Sequence, residues 1–186
     1  MTTKMICAGY GGQGALLAGM IMAHAGMEQD KQVLWLSSYG GEMRGGSANC
    51  SLTISDDEIA NPYINEMDLL MAMNQLSVEK FESKVKPGSY LIANSSLVKE
   101  GHPFRKDIHV VTVDATNIAM DQENQRGTNM VMLGALAKWT GLFDPQYLCG
   151  AMEAYFAHKG KNNPRNAGCF WAGVEQSKLL EGDEQA

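Results

Sequence analysis

The apolar positions of this chain fall into two rhythms. Short continuous runs (MICA, VLWL, LLMAM, YLIA, HVV) alternate with longer stretches of helical spacing. Continuous apolar runs of four to eight residues suit strands buried on both faces. KMICAG is therefore expected as a first strand and residues 14–29 as a first helix. QVLWLSS follows as a second strand, and ANCSLTIS, which alternates, as a third. DLLMAMN is expected as a central parallel strand, SVEKFESKV as a short helix, and Pro87-Gly88 as a turn. SYLIANS and HVVTVDA are two further strands, and residues 116–125 a helix. TNMVMLGALAKWTG is expected as a helix with Thr128 or Asn129 near its N-cap and Gly141 at its end. Asp144-Pro145 opens the next helix, since Asp caps and Pro suits the first helical position. NPRNAGCFWAGVEQSKLL is a last helix, and 182–186 belong to a polar tail expected to fray.

Strand–helix alternation predicts an α/β fold. The expected architecture is a single domain, residues 1–186, with a mainly parallel, Rossmann-like sheet flanked by helices. The first helix adds a constraint. From Ala15 to Met27 it carries no Asp, Glu, Lys or Arg, and His24 is its one strongly polar side chain. A helix apolar almost all round must be covered on more than one side, by the sheet and by another helix or a partner chain. His24 reads more simply as a packing histidine than as a ligand.

Composition narrows the function classes. With 45% hydrophobic and 19% charged residues in 186, this is an ordinary globular protein with a sizeable core. A net charge of −6 argues against nucleic acid or an anionic membrane as partner. No apolar run reaches the roughly 18 residues of a membrane span, and the N-terminal run leads straight into glycines, as a strand rather than a signal peptide. A cytoplasmic location follows as the expectation. Cys7, Cys50, Cys149 and Cys169 form no C-x-x-C pair and stand at no zinc-finger spacing to histidine, so no metal site is assigned and reduced thiols are expected. The 13 methionines lie mostly in apolar runs and read as packing.

The candidate chemistry lies in two glycine-rich loops. GYGGQG, residues 9–14, matches the G-x-G-x-x-G of a dinucleotide-binding turn between strand and helix. NAD would also need an acidic residue ending the second strand, to hold the ribose hydroxyls. That strand ends at Ser37 and Ser38; Asp30 precedes it and Glu42 lies in the following loop. The NAD reading therefore loses its confirming partner. What survives is a turn whose glycines permit close backbone approach and whose helix N-terminus favours an anion, or else a tight turn with no ligand. The second loop, YGGEMRGGS, holds Arg44 between Gly40-Gly41 and Gly45-Gly46, the one basic residue between Lys31 and Lys80. In a parallel sheet this loop would emerge beside the first turn, where Arg44 could pair with a carboxylate or phosphate. A solvated surface connection is the alternative.

GYGGQG, then SYGGEMRGG with the SLTIS strand, then NMVMLGAL resemble, in this order and across residues 4–171, the gamma subunit of 2-oxoacid:ferredoxin (acceptor) oxidoreductases. One departure is Gly41, where members of that family often carry proline. The resemblance implies membership of a complex that oxidatively decarboxylates a 2-oxoacid such as pyruvate, 2-oxoglutarate or a branched-chain oxoacid. The complex forms an acyl-CoA and passes electrons to ferredoxin. It further implies alpha, beta and ferredoxin-like delta subunits as partners, with thiamine diphosphate, Mg and iron–sulfur clusters carried by other subunits. This chain would hold no cofactor and no catalytic residue of its own and would be inactive alone. It would complete the complex and help form the site for CoA or the acyl–thiamine group. The positions that match are Gly9, Gly11, Gly12, Gln13 and Gly14 in the first loop, Tyr39, Gly40, Glu42, Arg44, Gly45 and Gly46 in the second, and Asn129, which a plain helix cap would also explain. A free-standing Rossmann-type nucleotide-binding enzyme and a purely structural assembly subunit are the alternatives. The apolar first helix and the methionines lead to the expectation that the isolated chain forms a homodimer.

Overall fold

The computed structural model describes residues 1–39 and 46–180. Among the described residues seven strands form one sheet in the order β2-β3-β1-β4-β5-β6-β7: β1 Thr2–Tyr10, β2 Gln32–Tyr39, β3 Ser47–Ser55, β4 Met67–Ala72, β5 Val85–Asn94, β6 His109–Val113 and β7 Lys178–Leu179. The helices among the described residues are α1 Ala15–Glu28, α2 Gln75–Phe81, α3 Ala115–Asp121, α4 Thr128–Thr140, α5 Pro145–His158 and α6 Arg165–Gln176.

The α/β class is as expected, but the sheet is mixed rather than mainly parallel. β1·β4, β4·β5 and β5·β6 are parallel, whereas β1·β3, β2·β3 and β6·β7 are antiparallel. The cause is a hairpin: after β2 the chain returns at once as β3, which inserts between β2 and β1. Three smaller differences have local causes. Pro87-Gly88 is not a turn leading into the strand; β5 starts at Val85 and absorbs the pair as an irregularity in its register with β4, with Gly88 at φ +73°. The last helix stops at Gln176 because Ser177 turns extended, and Lys178–Leu179 then pair with β6. The cap of α4 is Gly127, not Thr128 or Asn129. Gly141 does close α4, at φ +65°, and Asp144 does cap α5 by accepting from the Tyr147 N–H.

Side-chain alternation along the strands builds a core on each face. Met5 and Cys7 of β1, Leu52 and Ile54 of β3, and Leu69 and Met71 of β4 pack against α1, α4, α5 and α6. Ile6 and Ala8, Leu70 and Ala72, and Leu91 and Ala93 point the other way, onto Val78 and Phe81 of α2. The central strands are buried on both faces, which is why they read as unbroken apolar runs. α1 is covered as its composition demands, within the same chain. The Tyr147 hydroxyl of α5 donates to the Ala25 carbonyl and the Tyr155 hydroxyl to the Met20 sulfur. His24 is half-buried, with its ring edge-on to Tyr155.

α4 is the innermost helix, buried without interruption from Thr128 to Ala137. It crosses α6 with backbones in contact. A Cβ on Gly134 would lie 1.9 Å from the Phe170 carbonyl oxygen, and one on Gly173 would lie 2.0 Å from that of Val131. α1 and α2 flank the sheet on opposite faces and cross over in opposite directions, so the carboxyl ends of the adjacent parallel strands β1 and β4 form the topological switch point. In open α/β sheets that crevice is where ligands bind.

Candidate functional site

The first glycine loop stands at this switch point, and its own side chains hold it. The Gln13 Oε1 accepts from the Tyr10 N–H at 2.7 Å and from the Asn74 Nδ2 at 2.8 Å. Asn74, in turn, caps α2 through its Oδ1, which accepts from the Ser77 N–H at 2.9 Å. One side-chain pair thus ties the turn after β1 to the helix after β4. Just below, the Met73 N–H donates to the Ala8 carbonyl and extends the β1·β4 ladder to the mouth of the crevice. Gly9 must lack a side chain here, since a Cβ would lie 2.9 Å from both the Gln13 Oε1 and the Met73 Cβ.

At its far end the turn is fastened to α4. Gly14, at φ +81°, is the N-cap of α1 and supplies no side-chain cap. The Asn129 Nδ2 donates to its carbonyl at 3.2 Å, and a Cβ on Gly14 would stand 2.4 Å from that nitrogen. Asn129 therefore joins two helix N-termini and is not a helix cap. Gly11 and Gly12 are exposed, and among the described residues nothing would meet a Cβ on Gly12 within 4 Å. The N–H groups of the first turn of α1 have no intrahelical acceptor.

The two glycine loops do meet. β2 and β1 run in the same direction on either side of β3, with Tyr39 opposite Ala48 and Tyr10 opposite Ser47. The segment joining Tyr39 to Gly46 thus leaves and re-enters the sheet at the carboxyl edge, and the Gly11 N–H donates to the Gly46 carbonyl at 3.1 Å. Of the second-loop candidates, Tyr39 ends β2 and Gly46 makes this contact, whereas Gly40, Glu42, Arg44 and Gly45 lie outside the described residues.

Two clefts flank the turn. One, of 400 Å³, is lined by Gly9 and Tyr10 at the end of β1, Ser47 and Asn49 at the start of β3, and Asn74 and Lys80 on the α2 face. The other, of 760 Å³, is lined on the opposite face by Leu17, Arg126, Asn129, Met130, Phe156 and Lys161. Among the described residues no group of three or more His, Cys, Asp or Glu side chains is placed to hold a metal ion. No described helix is long and apolar enough to cross a membrane.

The topology also bears on a dinucleotide. In a Rossmann unit β2 neighbours β1, and its carboxyl end reaches the ribose. Here β3 intervenes, so β2 stands two strand spacings, about 9–10 Å, from β1. Its last residues remain Ser37, Ser38 and Tyr39, without a carboxylate.

Sequence reasoning missed two features. Asn74 directly follows the LLMAM run and stands three residues before Ser77, so a capping signal was present. Cys7 and Cys50 are direct neighbours across β1·β3, fully buried under the turn, with the Cys50 sulfur close to the Ala15 carbonyl. Nothing in their spacing of 43 positions shows this. The Cys7 thiol is pushed up, first by its hydrogen bond to Cys50 and then by burial. Cys50 is drawn down, first by the Cys7 thiol and further by the Trp35 indole N–H, against the opposing effect of burial.

Residues 4–176 match the family model of pyruvate ferredoxin/flavodoxin oxidoreductase. The chain is 32% identical over 180 residues to the ketoisovalerate oxidoreductase subunit VorA of Methanothermobacter thermautotrophicus, covering 95% of this chain and 37% of that protein. This chain thus spans little more than a third of the length of that relative. The crystal structure of the gamma subunit of a keto/oxoacid ferredoxin oxidoreductase from Geobacter sulfurreducens superposes with a TM-score of 0.76 at 27% identity, covering 95% of this chain and 96% of that one. A 2-oxoglutarate:ferredoxin oxidoreductase from Magnetococcus marinus, solved with 2-oxoglutarate, coenzyme A and succinyl-CoA bound, superposes with a TM-score of 0.83 at 22% identity. It covers 94% of this chain and 30% of that one, a likeness of fold.

Proposed function

The chain belongs to the pyruvate ferredoxin/flavodoxin oxidoreductase family, and from that membership we propose that it is the gamma subunit of a 2-oxoacid:ferredoxin oxidoreductase acting in the cytoplasm. It completes a complex with alpha, beta and ferredoxin-like delta subunits and helps form the CoA site over the acyl–thiamine group. Thiamine diphosphate, Mg and the iron–sulfur clusters belong to the other subunits. The observation that carries the CoA assignment is the meeting of the first glycine turn with the end of the second loop at the switch point, where the Gly11 N–H donates to the Gly46 carbonyl and a cleft lined by Gly9, Tyr10 and Ser47 opens beside them. The residues fit the group: exposed glycine backbone and the first-turn N–H groups of α1 suit a phosphate, and Arg44 lies on the connecting loop. Gln13, Asn74 and Asn129 hold this surface in shape rather than touch the ligand. On its own the chain turns nothing over and forms a homodimer through apolar surface that its partners cover in the complex.

The test is the reconstituted complex assayed against CoA concentration, wild type beside Arg44→Ala. Loss of one engaged charged donor, about 1.5–3 kcal/mol, corresponds to a fall of about 10- to 100-fold in kcat/KM for CoA. Unchanged kinetics in an intact complex remove Arg44 from the site and favour a subunit that serves assembly alone.

A further inference from the structure

The first glycine turn rests on a pair of thiols. Cys7 of β1 and Cys50 of β3 stand directly opposite each other in the antiparallel ladder, so their side chains point to the same face, under α1. Both are fully buried. The Cys50 sulfur lies 3.8 Å from the carbonyl of Ala15, the first residue of α1. Above it α1 carries Gly19, where a Cβ would lie 2.4 Å from that sulfur and 3.1 Å from the Trp35 Nε1. The indole nitrogen is buried and finds no other partner among the described residues, so its N–H stands beside the sulfur.

The spacing suits a bond. Residues directly opposite in an antiparallel pair have Cα atoms about 4.5 or 5.5 Å apart, and a disulfide spans about 4.4–6.8 Å. Their Cβ atoms, about 4.5–5.5 Å apart, need to close by only about 1 Å to reach bridging distance. The two sulfurs are also unequal. Cys50 receives the Cys7 S–H and the Trp35 N–H, and both favour its thiolate, whereas Cys7 spends its proton on Cys50 and gains no donor in return. Cys149 and Cys169 are buried as well, but their neighbours are Trp171 and Asn124 rather than a second thiol, and burial pushes both up.

We infer that Cys7 and Cys50 form an oxidative modification site: hydrogen peroxide attacks Cys50, and Cys7 then closes a cross-strand disulfide beneath the turn. The Cys50 thiolate takes one peroxide oxygen as the O–O bond breaks, giving a sulfenic acid and a hydroxide that leaves as water with the Cys50 proton. The Cys7 sulfur, losing its proton, attacks the Cys50 sulfur; the S–O bond breaks, and the departing hydroxide takes that proton as a second water. Two thiols and one peroxide thus become one disulfide and two waters. Both sulfurs are sealed from solvent, so the reaction runs through transient opening of the hairpin β2–β3 at the sheet edge. The bond ties β1 to β3 just below the contact of Gly11 with Gly46. The inference does not depend on the CoA assignment.

The experiment treats the reduced full chain with hydrogen peroxide in native buffer. The peroxide is then removed, the remaining thiols are alkylated in denaturant, and the peptides are mapped by mass spectrometry without reductant. The peptides of Cys7 and Cys50 should be joined, Cys149 and Cys169 should be alkylated, and dithiothreitol should reverse the link. In Cys7→Ala, dimedone should capture Cys50 as its sulfenic acid. In Cys50→Ala, Cys7 should react at least about tenfold more slowly than Cys50 does in Cys7→Ala. Should either variant fail to fold, the map of the unsubstituted chain decides. The inference is overturned if all four thiols survive until urea unfolds the chain, or if Cys149 and Cys169 are oxidised as fast as the pair. It is equally overturned if Cys7 and Cys50 are oxidised without becoming joined, or if Cys7 alone reacts as fast as Cys50 alone.

Discussion

Replacing glycine by alanine inside a helix usually stabilises, because alanine lowers the helical cost of that position by about 1 kcal/mol. In this chain the sign should depend on which glycine is replaced. Gly150 lies exposed in the middle of α5, and a Cβ there meets nothing within 4 Å. Gly150→Ala should therefore gain up to about 1 kcal/mol. Gly134 sits at the crossing of α4 and α6. The new Cβ would lie 1.9 Å from the Phe170 carbonyl oxygen and 3.0 Å from the Val174 nitrogen. Ordinary contact needs about 3.5–4 Å, so the helices must part by roughly 1.5–2 Å. Both obstacles are backbone, and no rotamer change can absorb the clash. Overpacking of this kind costs about 1–3 kcal/mol or more, and here the upper part of that range applies, because parting also loosens Val131 and Phe170. After subtracting the alanine preference, Gly134→Ala should lose about 2 kcal/mol. Urea unfolding by circular dichroism reads both changes as opposite shifts of the midpoint at constant m. A Gly134→Ala midpoint equal to or above that of the wild type would refute the close crossing on which the account of α4 rests.

Two further outcomes are expected. Lys31, and then the amino terminus, hold the Asp56 carboxylate at a pKa of about 2, below its usual 3.8; the stability this gives is complete above about pH 4 and is lost as pH falls toward 2, so Asp56→Asn should flatten the acid limb of unfolding over that window. Light scattering at micromolar concentration should return a dimer for the isolated chain, and a clean monomer would remove self-association from the proposal.

The α/β class, the first helix and its coverage, the capped start of α5 and the glycine end of α4 were legible because each rests on local pattern. A buried run, an apolar helix, Asp before Pro and glycine at positive φ carry their own physics. The hairpin was not legible, since ANCSLTIS reads as a strand whichever neighbour it takes, and β3 pairs on both sides with strands that precede it. β7 was hidden for a similar reason: two residues of QSKLL leave a helix only because the edge of β6 is open beside them. In the candidate site, Gly9, Gln13, Gly14 and Asn129 were found by motif, but the motif did not say what they do. Gly9 and Gly14 are fixed by neighbours 64 and 115 positions away, Met73 and Asn129, and no local pattern encodes such contacts.

These contacts bear on the meaning of a glycine fingerprint. G-x-G-x-x-G is commonly read as a ligand signature, yet here Gly9 and Gly14 have steric reasons that require no ligand: Met73 and Gln13 crowd one, Asn129 the other. The motif thus specifies a strand-to-helix turn pressed close to its neighbours. Its ligand is decided by what stands beside it. With β2 next to β1, the neighbour would be a strand end able to carry a ribose-binding carboxylate. With β3 inserted, the neighbour becomes the loop that returns through Gly46, whose carbonyl the turn itself grips at Gly11. One antiparallel strand removes the dinucleotide's partner and brings Gly46, where the chain returns toward β3, to the same edge. The same turn can therefore serve a different ligand without any change in its own glycines.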